Sequence, residues 1–388
     1  MPVKTSRTTV NPRTRPSPDP VVPSTKTFSE EKEVLSKGGS VLAATEAALA
    51  SAVSKKDLNA FLELFPTSAI AQAEAVDSKR AAGKAGPLAG MVISIKDNLC
   101  YKDHMVSASS KMLQGFTSLY TATAVERLLA ADAVIIGRTN CDEFAMGSSN
   151  ENSAFGNVKN PVNTDMVPGG SSGGAAASVA ADIVHVALGS DTGGSIRQPA
   201  SFTGTIGFKP TYGRVSRYGL IAFASSFDQI GPFAHTVDDV AAVYQVMAGH
   251  DPKDSTTSRK PVEPVTLADP GKLRIGYFRE GLERDGMDPE VVAHLKAQID
   301  RLKAEGHTVE PVEIPLLDHQ VPAYYILATA EASSNLARFD GIHYGHRSTK
   351  AKGVEETYRL SRSEGFGPEV QRRILLGTFV LSAGYYDA

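Results

Sequence analysis

Helical and strand-like patterns of apolar residues alternate along the chain from about residue 38. In TATAVERLLAADAVIIGRTN, residues 121–140, the side chains of Val125, Leu128 and Leu129 fall on one helical face. The continuous apolar run 134–136 follows directly after them. Since helical spacing that gives way to a short apolar run is typical of a helix leading into a buried strand, we predict that order here.

The same pattern recurs, which sets the fold class. Further strands are predicted within 91–98, 182–191, 205–211 and 272–278, the last followed by an amphipathic stretch at 289–305. Alternating helices and continuous apolar strands favour an α/β fold with a mixed, mostly internal β-sheet covered by helices on both faces.

Two other stretches shape the predicted organisation of the chain. The segment 251–271 is rich in proline and charge, and we interpret it as a surface connection within one domain rather than a boundary. After about residue 318 the pattern becomes mostly helical.

The N-terminal segment lacks the composition of a folded element. Residues 1–23 contain six prolines and four basic residues against one acidic residue. Since proline interrupts helices and few apolar residues are present, we predict a disordered basic tail over 1–37. An organelle transit peptide is the alternative, although the prolines would spoil its amphipathic helix.

Charge and cysteine content exclude several classes of protein. With 40 basic and 43 acidic residues the net charge is −3, so we expect any RNA to be held mainly by a partner. Two cysteines cannot form a disulfide framework or a four-ligand metal site, which fits a reducing compartment. We find no segment apolar enough to span a bilayer and no secretion signal, and therefore expect a cytoplasmic protein without membrane contact, organellar only if the basic tail is a transit peptide.

Glycine and serine concentrate in PGGSSGGAAASVAADIVHVALGSDTGGSIRQ, residues 168–198. The glycines at 169–174 permit positive φ and close backbone approach, while 175–181 can continue as a helix. A phosphate-binding loop is one alternative interpretation, but both the P-loop spacing and GxGxxG are missing.

Ser195 is the candidate nucleophile, because it follows two glycines directly after the apolar run 184–188. On such a tight turn its hydroxyl is exposed. The N–H groups of Thr192, Gly193, Gly194 and Ser195 itself can converge on an oxyanion.

A base other than histidine is required. The GxSxG elbow is absent, and His185 and His235 stand in no triad context. Lys96 is the candidate, because the apolar run of VISIK would carry its amine into the interior, where burial lowers the pKa. Ser171 could then relay a proton between Lys96 and Ser195. A solvated lysine at a strand end is the competing interpretation.

These residues resemble the amidase signature family. GGSSGG is followed by a serine 24 positions on, in DTGGSIR, and preceded by a lysine 75 positions before its first serine. The resemblance implies a Ser-cisSer-Lys triad, with Ser195 as nucleophile, Ser171 as the serine with a cis peptide bond, and Lys96 as base.

Three longer stretches resemble one branch of that family, the glutaminase subunit of tRNA-dependent amidotransferases; they are NCDEFAMGSSNENSAFG, GFKPTYGRVSRYGLIAFASSFDQIGP and EASSNLARFDGIHYG. The branch implies that free glutamine acylates Ser195 and that ammonia passes to a partner B subunit. There, ATP and Mg²⁺ serve to activate Glu-tRNA(Gln), or Asp-tRNA(Asn) in some relatives, while a small C subunit completes the heterotrimer. No cofactor or metal is expected in this chain.

The resemblance also implies that a tyrosine, an arginine and an aspartate grip the glutamine backbone. Alignment by eye places the first two at Tyr324 and Arg373, with Tyr325 and Arg372 as close rivals. Against the family pattern, roughly the last fifth is missing. We therefore expect an amidase signature domain over 38–388 without the C-terminal part of the fold, the aspartate included.

Four other interpretations stay open from the residues alone. The chain could be a stand-alone amidase of small amides, a nucleotide-binding module, or a noncatalytic assembly fragment. Cys100 or Cys141 could serve as a thiol nucleophile, but neither sits beside a base, and we expect both to be small buried fillers.

Overall fold

The computed structural model describes residues 27–266 and 269–385. The α-helices of these ranges are α1 Phe28–Ser36, α2 Val41–Ser54, α3 Pro66–Ala81, α4 Thr123–Ala130, α5 Gly173–Ala180, α6 Arg197–Thr203, α7 Val237–Met247, α8 Glu280–Glu283, α9 Pro289–Ala304, α10 Leu317–Asn335, α11 Val354–Gly365 and α12 Pro368–Val380. The strands are β1 Phe61–Leu64, β2 Val92–Lys96, β3 Val134–Thr139, β4 Val186–Asp191, β5 Ile206–Gly207, β6 Gln229–Ala234, β7 Arg274–Phe278 and β8 Thr308–Val312. Short 3-10 helices occur at Lys56–Leu58, Lys111–Leu113, Glu143–Ala145 and Leu336–Arg338.

A six-stranded mixed sheet forms the centre, in the order β1-β3-β2-β4-β6-β5. The strand β2 runs parallel to both β3 and β4, whereas β1 and β6 are antiparallel to their neighbours. Since parallel strands end at the same edge of a sheet, the carboxyl ends of β2 and β4 lie side by side. That edge carries the candidate chemistry.

Apolar side chains cover both faces of this sheet. Successive strand residues point to opposite faces, so Ile93 and Ile95 pack in one core with α4 and α7, while Val92 packs in a second core with α2, α3 and α5. The helix predicted from Val125 and Leu128 is α4, and both side chains are buried. The predicted α/β class with helices on both faces is confirmed.

The mostly helical pattern predicted after residue 318 is also confirmed, as α10, α11 and α12. No helix in 27–266 or 269–385 combines the length and the apolar character that crossing a bilayer requires.

A helix occupies part of the predicted disordered tail, which corrects that expectation for Phe28–Ser36. Thr27 and Glu30 form a reciprocal capping box that satisfies the first N–H groups of α1. Phe28 is buried against the ring of His185, so the helix also has an apolar anchor. The rest of the predicted tail before residue 27 lies outside the described residues.

The strand predicted in 272–278 lies outside the central sheet, contrary to the prediction. It is β7, which pairs in parallel with β8 in a separate two-stranded sheet, and its residues are exposed or half-buried. The strand predicted in 205–211 is reduced to the two residues of β5. The prediction of an internal sheet is therefore correct for the central strands and wrong for β7.

Candidate active site

Lys96 ends β2 and is completely buried, so the alternative of a solvated lysine is wrong. Its Nζ donates to three serine hydroxyls, at 2.7 Å to Ser171, 3.0 Å to Ser172 and 3.0 Å to Ser190. The peptide bond between Gly170 and Ser171 is cis, as the family resemblance implies. The predicted contact between Lys96 and Ser171 is present.

The hydroxyls around Lys96 restrict where its protons can go. Ser172 Oγ donates its own hydrogen to the carbonyl of Ser190 at 3.1 Å, so towards Lys96 it can only accept. Ser190 Oγ accepts a further hydrogen bond from Asn98 Nδ2 at 2.9 Å. A neutral amine that donates to these two serines keeps its lone pair for the hydroxyl of Ser171.

Burial lowers the pKa of Lys96, and this outweighs the opposing effect of the Cys141 thiol and of nearby carboxylates, among them Asp142 and Asp191. The direction of the shift is the one a lysine base needs, because only the neutral amine can take up a proton.

Ser195 follows β4 in the turn that leads into α6. Its carbonyl accepts from the N–H of Ser172 at 3.3 Å, which holds the turn beside the loop that carries Ser171. In the described part of the chain the Ser195 hydroxyl makes no hydrogen bond, not even to Ser171 Oγ. The residue is 8% exposed. The predicted nucleophile therefore lies beside the loop of the relay serine, and its hydroxyl is not bound to any of the described residues.

Asp191 organises the nucleophile turn. Its carboxylate accepts from the N–H of Gly194 at 2.9 Å and of Ile196 at 3.0 Å, and it forms an ion pair with Arg197 at 3.0 Å. The prediction that Gly194 contributes an oxyanion donor is wrong in this geometry, because its N–H is already bound. Within residues 27–266 and 269–385, the N–H groups of Thr192, Gly193 and Ser195 bind no acceptor, so these three stay available.

Asp228 is a buried acid of the site that the sequence reasoning missed. It accepts from Thr192 Oγ1 at 2.6 Å and from the N–H groups of Phe223 and Ala224. Burial raises the pKa of Asp228 to about 6, against the effect of these hydrogen bonds. The residue lies in one of the stretches that carry the family resemblance, but nothing in its spacing marks it as a partner of Thr192.

Tyr324 and Arg373 reach the site from α10 and α12, which pack against each other. A Cβ atom on Gly193 would lie 2.7 Å from the Tyr324 ring, so this tyrosine closes over the nucleophile turn. Arg373 lies beside the Tyr324 hydroxyl, and its Nε donates to Glu369 at 2.9 Å. Burial raises the pKa of Tyr324, which the neighbouring guanidinium opposes.

The two rivals of this pair are more exposed to solvent. The Arg372 side chain is 73% exposed and pairs with Glu369 at the surface. Tyr325 is 40% exposed and contributes its ring to a cation-π contact with Arg373. Tyr324 and Arg373 are thus the more buried pair, and their contact with a substrate stays a prediction.

Both cysteines are buried and free, as predicted. Burial raises the pKa of Cys100, and it raises the pKa of Cys141 to about 12. Since the thiolate is the reactive form, neither side chain is suited to be a nucleophile.

Comparison with known proteins places the chain in a family. The model of the Amidase family matches residues 43–388. The A subunit of glutamyl-tRNA(Gln) amidotransferase from Acidobacterium capsulatum is 55% identical over 340 residues, 86% of this chain and 70% of the relative. Its counterpart of the same name from Agathobacter rectalis is 51% identical over 362 residues, 92% of this chain and 72% of the relative.

Solved structures give the same picture. The A subunit of the Thermotoga maritima glutamyl-tRNA(Gln) amidotransferase is 42% identical, with a TM-score of 0.64 over 78% of this chain and 62% of that one. The peptide amidase of Stenotrophomonas maltophilia is 29% identical, with a TM-score of 0.77 over 93% of this chain and 77% of that one. The buried lysine and the serine loops described above thus stand in a fold shared with known amidases, and the chain belongs to the amidase family.

Proposed function

We propose that this chain is the amidase subunit of a glutamyl-tRNA(Gln) amidotransferase and hydrolyses the side-chain amide of glutamine to release ammonia. The observation that carries the chemistry is the buried contact of 2.7 Å between Lys96 Nζ and Ser171 Oγ, beside the turn that carries Ser195. The choice of glutamine rests on relatives of that name at 51 to 55% identity.

The proposed reaction begins with proton transfer. Neutral Lys96 takes the proton of Ser171, which in turn takes that of Ser195, so that Ser195 Oγ attacks the amide carbon. The free N–H groups of Thr192 and Gly193, with that of Ser195, stabilise the oxyanion. The proton returns through Ser171 to the departing nitrogen, ammonia leaves, and water then hydrolyses the acyl-enzyme to glutamate.

Substrate selection falls to the pair on α10 and α12. Arg373 is 7% exposed, and its Nε is bound to Glu369, so its terminal nitrogens are left for Tyr324 and for a carboxylate. A planar guanidinium suits the free α-carboxylate of glutamine, which a simple amide substrate lacks.

The proposed complex completes the reaction in the cytoplasm. Ammonia passes to a partner B subunit, which uses ATP and Mg²⁺ to activate Glu-tRNA(Gln) and contacts most of the tRNA. A small C subunit stabilises the assembly. No cofactor is proposed for this chain, since the proton transfers need only its own side chains.

The test is to trap the nucleophile in the complex reconstituted with B and C subunits. A diazoketone analogue of glutamine should label Ser195, as located by mass spectrometry, and Ser195→Ala should abolish both the label and ammonia release. A label on another residue, or unchanged ammonia release by Ser195→Ala, would refute the assignment.

A stand-alone amidase of small amides is the second candidate, favoured by the similarity to a peptide amidase over 93% of this chain. The two functions separate when the chain is assayed without partner subunits. Ammonia release from peptide amides or small aliphatic amides, with no preference for glutamine, would support this second function. A strict preference for glutamine would exclude it.

A further inference from the structure

A buried carboxylate connects the catalytic loops to the helix that carries Arg373. Glu143 is 2% exposed, and its Oε2 accepts from the N–H of Gly367 at 2.8 Å. Gly367 directly precedes α12 and is its N-cap residue. The Ser110 hydroxyl holds the other oxygen, Oε1, so the carboxylate is fixed at both ends.

The segment that carries Glu143 is itself tied to the relay serine. The N–H of Asp142 donates to the carbonyl of Ser171 at 3.1 Å. Two consecutive residues therefore link two parts of the site, because Asp142 binds the loop of Ser171 while Glu143 binds the start of α12. The connection uses no flexible side chain other than that of Glu143.

From the start of α12 the connection continues back to the nucleophile turn. Glu369, in the first turn of the helix, fixes Arg373 through Nε at 2.9 Å. Arg373 lies beside the Tyr324 hydroxyl, and the Tyr324 ring closes over Gly193. Together with the hydrogen bond from the Ser172 N–H to the Ser195 carbonyl, these contacts form a ring that joins the Ser171 loop, the start of α12 and the Ser195 turn.

The ring is tightly packed where Glu143 contacts Gly367. A Cβ atom on Gly367 would lie 2.5 Å from Glu143 Oε2, so the carboxylate and the backbone already approach too closely for a side chain at that position. The neighbouring turn is held as well, since Ser110 Oγ also lies 3.3 Å from the carbonyl of Gly365, where α11 ends. Loss of the Glu143 carboxylate would leave the Gly367 N–H and the Ser110 hydroxyl without this acceptor, so we expect the start of α12 to shift.

We infer that Glu143 is a positioning residue, which sets the place of Arg373 relative to Ser195 and thereby the affinity for a substrate that carries a free carboxylate. The inference rests on the proposed function, because it takes Arg373 as the ligand of the α-carboxylate. It assigns Glu143 no contact with the substrate and no part in proton transfer.

The experiment compares two labels of the same nucleophile in the reconstituted complex. The diazoketone analogue of glutamine carries an α-carboxylate, whereas phenylmethanesulfonyl fluoride carries none and needs only a competent Ser195. In Glu143→Ala we expect labelling by the first probe to slow about 10- to 100-fold, the range for a lost hydrogen bond to a charged group. Labelling by the second probe should stay within about threefold, because Lys96, Ser171 and Ser195 are untouched.

Conservative and control variants separate positioning from folding. Glu143→Gln keeps an oxygen for the Gly367 N–H and should restore labelling by the glutamine analogue to within about threefold of wild type. Glu151→Ala removes an exposed glutamate that, like Glu143, lines a surface cavity of about 670 Å³, and it should change the reaction with neither probe.

A double variant tests the contact from its other side. Gly367→Ala should slow the glutamine analogue about as much as Glu143→Ala, since the new methyl group displaces the carboxylate. In the Glu143→Ala background the methyl group meets open space, so adding Gly367→Ala should cost little more.

Three outcomes would overturn the inference: equal slowing of both probes in Glu143→Ala, no slowing of either, or full additivity in the double variant. Failure of the proposed function looks different, because the wild type would then react with the sulfonyl fluoride but not with the glutamine analogue.

Discussion

The two sides of the candidate site are built in different ways. We call the sheet edge with Lys96 and Ser171 the catalytic side, and the helices with Tyr324 and Arg373 the substrate side. On the catalytic side, Lys96 and Ser171 are completely buried at the edge of the central sheet, and hydrogen bonds to serine hydroxyls and backbone groups fix them. On the substrate side, Tyr324 and Arg373 stand on helices whose other faces expose large apolar residues such as Leu375. In the proposed function, the chemistry thus depends on the main chain of the sheet edge, whereas selection depends on a few side chains held through Glu369 and Glu143.

The largest effect should come from a change on the catalytic side. It should fall on kcat, and this would distinguish the catalytic side from the substrate side. We expect Lys96→Met and Lys96→Arg each to reduce kcat for ammonia release by at least about 10³-fold, with KM little changed. Arginine keeps the charge but cannot become neutral, so it cannot act as the base. Steady-state assays of the reconstituted complex, with thermal unfolding as the folding control, would measure this. Substantial activity in Lys96→Arg would contradict a neutral amine as base.

A smaller effect, on KM rather than on kcat, should come from a change at Arg373. In Arg373→Lys we expect KM for glutamine to rise about 10- to 100-fold while kcat changes little, because a two-pronged contact with the carboxylate is lost. Arg372→Lys is the matched control, since that neighbour is 73% exposed, and it should leave both constants unchanged. A fall in kcat alone would place Arg373 in the chemistry and remove the distinction between the two sides.

Asp228 tests whether the catalytic side is sensitive to its charged surroundings. Asp228→Asn should lower kcat about tenfold, because Thr192 loses its charged acceptor and its N–H is less well aimed. The Asp228 carboxylate also raises the pKa of Lys96, so its removal should shift the acidic limb of kcat/KM to lower pH. Measured pH profiles would show the shift, and a move to higher pH would contradict the assignment.

The last prediction concerns the link between the two sides, and it falls on stability rather than on activity. Burial raises the pKa of Glu143 to about 7 from an ordinary 4.5. The folded protein therefore binds its proton more tightly than the unfolded chain does. Stability from this group is complete below about pH 4.5 and is lost as pH rises through about 7, on the order of 3 kcal/mol.

Glu143→Gln should lack this component of the pH dependence. Urea unfolding of wild type and variant at about pH 5 and pH 8 would measure the difference. A wild type whose stability relative to Glu143→Gln rises with pH would contradict the sign of the shift.

Much of the catalytic side could be predicted from the sequence, because its geometry follows from the main chain. Lys96 ends an apolar strand, and glycine-rich loops bracket Ser171 and Ser195, so strand ends and turns make all three candidates, which the family resemblance joins into one set. The N–H donors of the turn that carries Ser195 were harder to predict. That the Asp191 side chain would fold back onto the N–H of Gly194 depends on its rotamer, which spacing does not encode.

The remaining parts depend on packing that no local pattern records. Asp228 and Glu143 stand in polar stretches where an acid normally faces water, and only the fold buries them. The strand β6 contains Pro232, which by pattern argues against a place between β4 and β5. The helix α1 was hidden beside a proline-rich segment, although Thr27 and Glu30 carry a capping signal.

The complete burial of Lys96 also makes this residue a chemical probe of how often the core of the protein opens. Reagents that acetylate or methylate amines reach surface lysines at once but reach this one only when the sheet edge opens. The rate at which Lys96 is modified, read by peptide mass spectrometry, therefore reports how often the centre of the molecule opens to water.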